Sequence, residues 1–559
     1  MPTTASPLSR ILNLLELERN EITAVYLYAI LGGLIQLSLP LGVQAIIGFV
    51  LGATMRATLV VLIALVVIGV LVAGIMQVNQ MKLIEKIQQK LFVRYSFAFA
   101  KHIPKIDLKK TDAIYLPELV NRFFDIPVLQ KSLAKILLDI PTASIQILFG
   151  LILLSFYHPA FILFGLILII LLWLILRYTG KHGLSTSIAE SSYKYKVAAW
   201  LEETARVVKS IKLVKSNNFH LHKTDGHVSD YLDARNRHFK ILLFQYHVLV
   251  VFKTIITASM LIVGTILLVN QQLNIGQFIA AEIIILLVLN SVEKLIMNLD
   301  SVYDTLTSVE KISNLTDMPV EESGSAKLPG NGNGLKVEMK NVGFGYNNEK
   351  EILNNISLQI NPGEKVCIKG KDSSGKSTLI RLMAGAYTEF KGSILLDNIP
   401  VGNYDLDSVH SQIGVLINHQ DIFTGTLWEN IALGSSTATI ESVSNYADKV
   451  GLNDFVATLK NGYETMLDPT GNRLPRNVVH KILLVRALAG NPRLLLLEEP
   501  WMHFENGFRT QIIQLLNEIK NTTLVVVSND EEFAKQSDKV LIMEKGTITT
   551  LVNTKSSNQ

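Results

Sequence analysis

Six apolar stretches occupy the first 300 residues, at approximately 22–50, 57–78, 136–156, 160–176, 248–269 and 277–297. Each is close to the ~20 residues a helix needs to cross the hydrocarbon core of a bilayer. Within hydrocarbon every backbone N–H and C=O must be satisfied inside the segment, so such stretches are restricted to helices. Their spacing is informative. The first and second, third and fourth, and fifth and sixth are joined by short turns, among them His158-Pro159 and the segment from Asn270 to Ile275. Long polar segments, 81–135 and 181–240, separate the second from the third and the fourth from the fifth, and both carry many Lys and Arg. The short turns hold almost no basic residue beyond Arg56. Basic residues favour the cytoplasmic side. The long segments and both termini are therefore expected there, in a multi-pass protein of the cell (inner) membrane.

At 49% hydrophobic and 18% charged residues the chain is too apolar for an ordinary soluble enzyme, and the excess lies before residue 300. A length of 559 residues also exceeds one core, so at least two domains are expected. The net charge of +4 is mild and no Lys/Arg block is interleaved with aromatics, which argues against a nucleic-acid partner. The single cysteine, Cys367, excludes an intrachain disulfide or a cysteine metal cluster. It reads as a small core residue. Residues 1–21 lack the short apolar run and cleavage site of a signal peptide. Pro7 to Leu17 instead reads as an amphipathic helix, with Ile11, Leu12, Leu14 and Leu15 on an apolar side suited to a membrane face.

Helical periodicity across the long polar segments predicts that the membrane helices continue into the cytosol. Each segment then needs a reversal, expected near Tyr115-Leu116-Pro117-Glu118-Leu119-Val120-Asn121-Arg122-Phe123 and near Val197-Ala198-Ala199-Trp200-Leu201-Glu202-Glu203. A short crosswise helix at each reversal either docks on a cytosolic domain or is an ordinary surface helix. Gln36, Gln44, Lys253, Glu282 and Asn290 fall within the spans. Charge in lipid is costly and turns toward a partner or a cavity, so Lys253 and Glu282 either pair, line a path, or snorkel to the interface.

A second signature lies at Gly370-Lys371-Asp372-Ser373-Ser374-Gly375-Lys376-Ser377-Thr378, which fits the phosphate-loop pattern G-x-x-x-x-G-K-[ST]. Lys365-Val366-Cys367-Ile368 before it reads as a buried strand, and 379–384 after it as a helix. In that context backbone N–H groups and the positive helix end converge on a polyphosphate. Lys376 would reach the β- and γ-phosphates and the Ser377 hydroxyl would hold Mg²⁺. A polar Gly-rich tether, 316–334, precedes this region, and strands and helices alternate beyond it to about Val552. The expected fold is a multidomain membrane protein: a six-helix all-α transmembrane domain followed by an α/β P-loop nucleotide-binding domain. Its expected boundaries are an amphipathic helix at 1–20, the membrane domain at 21–315, the tether, and the nucleotide-binding domain at 335–559.

Six spans in this spacing, long cytosolic extensions and a C-terminal phosphate loop resemble the half-transporters of the ABC exporter type, in particular the branch that secretes peptides and proteins. The resemblance covers nearly the whole chain and implies ATP and Mg²⁺ as cofactors. It also implies a dimer, either of two copies or with a more complete half, embedded in membrane lipid.

Carried over by position, the resemblance makes Tyr346 the aromatic on adenine and Gly370, Ser374, Gly375, Lys376, Ser377 and Thr378 the phosphate loop. Ser373 stands where the family has another glycine. Asn418 takes the place of the glutamine beside Mg²⁺ and the attacking water, with Gln420 two residues on as a substitute for it. Glu498 replaces the aspartate that holds Mg²⁺, and Glu499 falls on the catalytic carboxylate. Asn529 stands for the histidine at the γ-phosphate. The signature Leu-Ser-Gly-Gly-Gln reads here Leu474-Pro475-Arg476-Asn477-Val478, and Pro475 has no N–H to offer a phosphate. The loop Trp501-Met502-His503-Phe504-Glu505 departs from the family's small polar dimer contact.

These departures lead to a half-transporter that couples ATP binding to export of an unidentified substrate with a degenerate nucleotide site. Two alternatives stay open: a fully active ATP-hydrolysing exporter, and a non-transporting ATP-binding scaffold or regulator.

Overall fold

A computed structural model describes residues 6–52, 56–112, 114–214, 218–330, 332–346, 351–418, 420–468, 474–502 and 504–553. The chain divides into two compact units. One comprises Met1–Pro104 and Tyr115–Met318, the other Lys105–Ile114 and Pro319–Gln559.

Among its described residues the first unit is all helical, and six helical segments there are long and apolar enough to cross a membrane. The first stretch is two helices, Arg19–Gln36 and Ser38–Leu51, joined at Leu37. Pro40 sits in the first turn of the second helix. Its missing N–H and its ring exclude a continuous i→i−4 ladder back to Gln36, so the break falls there. The remaining spans continue well beyond the bilayer length, as Arg56–His102, Asp125–Tyr157, Ala160–Arg206, Phe219–Val269 and Ile275–Thr316. The sixth span lies along the third, the fifth along the fourth, and the first along the second. A buried cluster that includes Leu154, Phe161, Phe252, Met260, Ile284 and Val288 ties the third through sixth spans together.

Pro7–Leu17 is a helix capped by Ser6. Ile11, Leu14 and Leu15 pack inward against the bundle, while Leu8, Leu12 and Leu17 are exposed. The expected apolar side is thus shared between protein and surroundings. Among the polar groups in the spans, Lys253 pairs with Glu293 at 2.6 Å. That corrects the expected partner Glu282. Residue 293 lies three helical turns further along, level with Lys253 on the neighbouring helix. Gln36 accepts from the Gln146 amide, and Gln44 accepts from the Tyr157 hydroxyl.

The first expected reversal falls within the break between the long helices, which opens where Pro104 ends the second span's helix and Asp107 caps the short helix Leu108–Thr111; the second is displaced. Leu116–Val120 and Asn121–Phe124 then lead into the third span. Residues 197–203 are the uninterrupted interior of Ala160–Arg206, since Ala, Leu and Glu favour helix there. The chain bends instead after Val207, through the helix Val208–Leu213.

The second unit is built on a six-stranded sheet in the order Thr547–Asn553, Lys539–Glu544, Lys365–Gly370, Thr523–Val527, Leu494–Glu498, Ile413–Leu416. All pairings are parallel except the first. The central strands read as continuous apolar runs because helices cover both faces, and Cys367 is fully buried among them. An antiparallel sheet of Leu353–Ile360, Val337–Phe344, Lys391–Leu396 and Ile399–Pro400 completes the unit.

The described part of the 316–334 tether is bound rather than free. The Glu321 N–H donates to Lys105 O at 2.9 Å and the Gly324 N–H to Tyr404 O at 2.8 Å. The buried Arg493 guanidinium holds the carbonyls of Pro329, Asn333 and Gly334 and the Asp397 carboxylate. Asn331 lies outside the described residues.

Candidate nucleotide-binding site

The strand Lys365–Gly370 delivers the chain into a turn whose backbone is left-handed at Ser373 (φ +62°) and Gly375 (φ +99°), with Gly370 at φ +154°. A Cβ on Gly370 would lie 2.4 Å from the Met543 carbonyl oxygen, and one on Gly375 2.7 Å from Leu353 Cδ2. Glycine is required at both positions. Ser373 takes the left-handed conformation with a side chain attached, at a strain of about 1 kcal/mol. The helix Lys376–Met383 starts immediately after the turn. Its first N–H groups have no partner within the helix, and its dipole is positive at this end.

Residues 372–378 line a cleft of about 890 Å³ together with Asn418, Glu498 and Glu499. Glu351, Ile352, Val527, Lys545 and Gly546 line it too. These five were not anticipated. Lys545 and Gly546 form a strand-to-strand turn without a motif of its own, and the Gly546 N–H donates to Ser374 O at 3.1 Å, buttressing the loop.

Lys376 Nζ donates to the carbonyls of Gly370 and Lys371, at 2.7 Å each, which curls its ammonium over the loop. The Ser377 hydroxyl donates to Glu498 Oε1, and the Asn418 N–H donates to Glu498 Oε2 at 3.0 Å. The extra methylene of Glu498, relative to aspartate, is accommodated by this two-sided grip, and the residue is buried, 5% exposed. Ser377 and Glu498 thus supply oxygen donors of the kind a hard divalent cation takes. Asn418 enters this cluster through its backbone. Ser374 Oγ, in the cleft lining, is buried without a hydrogen-bond partner among the described residues, which suits an oxyanion or its water as partner.

Glu499 follows at a backbone φ of +46° and accepts from the Ser528 hydroxyl at 2.8 Å. Burial pushes its carboxyl above the usual carboxylate range, and the Ser528 hydrogen bond and the Lys376 charge only partly oppose this. Ser528 carries no motif of its own, and it meets Glu499 only once strands Thr523–Val527 and Leu494–Glu498 are paired.

The other positions are arranged differently. The Gly370 N–H donates to Asn529 Oδ1 at 3.0 Å, which ties that amide to the start of the loop. The Tyr346 ring packs edge-on against Phe344 and Tyr387, and its hydroxyl meets Thr378 Oγ1 at 3.1 Å. Gln420 turns back, its Oε1 accepting from the Ile417 N–H, and it does not line the cleft. Pro475 is the N-cap of the helix Arg476–Ala489, without a side-chain cap. The Val478 N–H at this end is already taken by Pro475 O and Asn477 Oδ1. His503 lies outside the described residues.

This cleft, set at the carboxyl ends of parallel strands and fed by a strand–loop–helix, defines a P-loop nucleotide-binding domain. Residues 353–502 match the family model described as "ABC transporter", and residues 22–292 match "ABC transporter transmembrane region". The chain belongs to the ABC transporter family, with membrane and nucleotide-binding regions fused in one polypeptide. It is a multi-pass membrane protein whose nucleotide-binding domain is cytoplasmic.

Among its relatives, the alpha-hemolysin translocation ATP-binding protein HlyB of Escherichia coli O157:H7 is 28% identical over 63% of this chain and 50% of that protein. The ATP-dependent lipid A-core flippase of Saccharophagus degradans is 34% identical over 44% of this chain and 42% of that protein. The chain thus spans about half the length of these relatives. A bacterial Atm1-family ABC exporter with ATP bound shares the fold, with a TM-score of 0.86 over 96% of both chains at 18% identity.

Proposed function

We propose that this chain is one half of an ABC exporter that binds ATP with Mg²⁺ in the 372–378 cleft and couples that binding to export, while its own catalytic turnover is impaired. One observation carries the reading: the nucleotide-gripping half of the site is assembled, but the helix that would face a partner's nucleotide starts on Pro475. The ammonium of Lys376 and the helix N-terminus provide the positive field for the phosphates. Ser377 would hold Mg²⁺, with Glu498 accepting the serine proton and orienting its lone pairs; the bound cation would supply charge neutralisation at the β- and γ-oxygens. Glu499 would take a proton from attacking water, and its hydrogen bond from Ser528 supports that role.

Each nucleotide in such a dimer sits between one half's loop and the other half's signature. Two copies of this chain would therefore meet two signatures lacking the serine hydroxyl and a backbone donor. Loss of one preorganised donor at a developing oxyanion slows turnover about 10²–10³-fold. We infer pairing with a second half-transporter, either a copy or a more complete relative. Preservation of Glu499 and the Ser377–Glu498 contact favours a second reading, a slowly hydrolysing active exporter.

ATPase activity of the purified chain in lipid, with Glu499→Gln as control, separates the two. Turnover above background that this change abolishes favours the active exporter. Saturable MgATP binding without such turnover supports the impaired half, and no MgATP binding at all overturns both.

A further inference from the structure

In the first unit the helices of the fourth, fifth and sixth spans meet around one buried histidine. His238, on Phe219–Val269, is 2% exposed. Its Nδ1 lies 2.9 Å from Thr186 Oγ1 on Ala160–Arg206, and its Nε2 lies 3.4 Å from Asp300 Oδ1 on Ile275–Thr316. The Tyr303 ring stands edge-on to the imidazole, with centroids 6.0 Å apart. A Cβ on Gly183 would run into that ring, so glycine permits the close approach of the fourth and sixth helices here. A helix entering at Ile275 crosses ~30 Å of hydrocarbon in about 20 residues, so residues 300–304 lie beyond it. Residues 186–190 and 235–238 likewise lie outside the apolar stretches 160–176 and 248–269.

The charged groups at this junction come from all three helices. Glu190 of the fourth pairs with Arg235 of the fifth at 2.8 Å, and Tyr231 lies beside Arg235. The sixth brings Asp300 and Asp304, four residues apart on one face. Asp304 forms no hydrogen bond or salt bridge among the described residues. His182, one turn before Thr186, is exposed, and Asp139 of the third span is held by Asn298 at 3.1 Å.

Thr186 Oγ1 also lies 2.9 Å from His182 O and 3.0 Å from Gly183 O. Carbonyl and carboxylate oxygens only accept hydrogen bonds. With the hydroxyl proton on a carbonyl, both ring nitrogens of His238 donate, and the imidazolium completes the set. With a neutral ring the hydroxyl proton turns to Nδ1, and His238 brings no charge to the two aspartates. Burial, with the charge of Asp300 adding to it, pushes the Asp304 carboxyl up to about 6. Histidine changes charge between about pH 5 and 8. Acidification therefore adds a cation at His238 and removes an anion at Asp304. A rise in pH leaves two carboxylates one turn apart, a repulsive pair on a helix, against a neutral ring.

We propose that this junction is a proton-operated latch that holds the extensions of the fourth, fifth and sixth spans together when protonated and lets the fifth part from the sixth when the protons leave. The half-exposed Asp300 side chain gives those protons their route from the surrounding water. The latch goes beyond the nucleotide-dependent reading, since it works without ATP.

The test uses the full chain in lipid nanodiscs without nucleotide, diluted with unlabelled chain. Cys367→Ala removes the native thiol, and spin labels are placed at Asn236→Cys and Met297→Cys, exposed positions on the fifth and sixth helices. Double electron–electron resonance reads the distance between them at about pH 5.5 and about pH 8. We expect it to lengthen reversibly by about 2 Å or more at the higher pH, the scale of a helix shift. Asp304→Asn, fixed in the uncharged form, is expected to shrink that response, and D304N with His238→Gln to abolish it. Exchange of the imidazole C2 proton, followed by mass spectrometry, is expected to show His238 titrating within this range.

An unchanged distance across the range, or a shorter one at the higher pH, overturns the latch. So does a His238 that does not titrate, or a double variant that responds as the unaltered background does. If H238Q is not monodisperse, D304N decides alone, because it conserves shape: a response as large as the background's overturns the proposal, and a smaller one supports it. MgATP titration of the same samples reads the nucleotide site separately.

Discussion

Ser373 carries the most local of the consequences. Its left-handed φ of +62° is a conformation that glycine adopts without penalty. Relief of about 1 kcal/mol of strain and removal of the Cβ predict that Ser373→Gly tightens MgATP binding about fivefold, measurable by fluorescent-nucleotide titration. Glu499 sets a pH dependence. Its carboxyl is held above the usual range by burial, so any turnover that uses it as a base fails on acidification at a higher pH than an ordinary glutamate would allow. The acid limb of the ATPase profile reports this, and Glu499→Gln removes that limb together with the activity. Which residues stand at these positions was legible in the sequence. The sign of φ at 373 and the burial of 499 were not, because both follow from how the loop packs against the turn at Lys545-Gly546 and the strand ending at Val527.

Among elements, the segment Lys105–Ile114 and the strap after Pro319 act together. Ile106 bridges Val320, the Asp107 N–H donates to Pro319 O at 3.0 Å, and the Tyr387 hydroxyl donates to Asp112 Oδ2 at 2.8 Å. Lys109 pairs with Glu389 at 3.1 Å. Glu321 lies in this seam. Burial, with the charges of Asp107 and Asp407 adding to it, pushes its carboxyl up to about 7. A raised folded-state value means that its contribution is fully present below the unfolded value, near 4–5, and is lost as pH rises through about 7. The thermal midpoint of the second unit is therefore expected to fall between pH 6 and 8 in wild type by more than in Glu321→Gln, read by calorimetry of the full chain.

Tyr387→Phe removes the hydroxyl's bond to Asp112 and the one it accepts from Arg381, and is expected to lower stability by about 1–3 kcal/mol, seen as a lower denaturation midpoint. The expected short helix is present at Leu116–Val120, whereas the earlier start of the reversal, at Pro104 and the cap Asp107, was not read from the sequence.

For the whole molecule, the proposed reading makes the signature end of Arg476–Ala489 the limit on turnover of bound ATP. Restoring its donors with Pro475→Ser, Arg476→Gly and Asn477→Gly together is expected to raise ATPase activity of the lipid-embedded protein at least tenfold, measured by phosphate release. Glu499→Gln in that background returns it to baseline. No gain from the restored signature would move the defect to Glu498 or Asn418.

The sequence by itself determined six spans, their pairing by short turns, the phosphate loop and the altered signature. All of these are periodicities or contiguous patterns that near neighbours in the chain write directly. The tertiary structure alone decided what depends on distant segments meeting. Lys253 pairs with Glu293 rather than Glu282, Ser528 orients Glu499, and Arg493 straps down what reads as a loose tether. Side chains tens to hundreds of residues apart become neighbours only through helix packing and strand register, and neither is encoded in any local window.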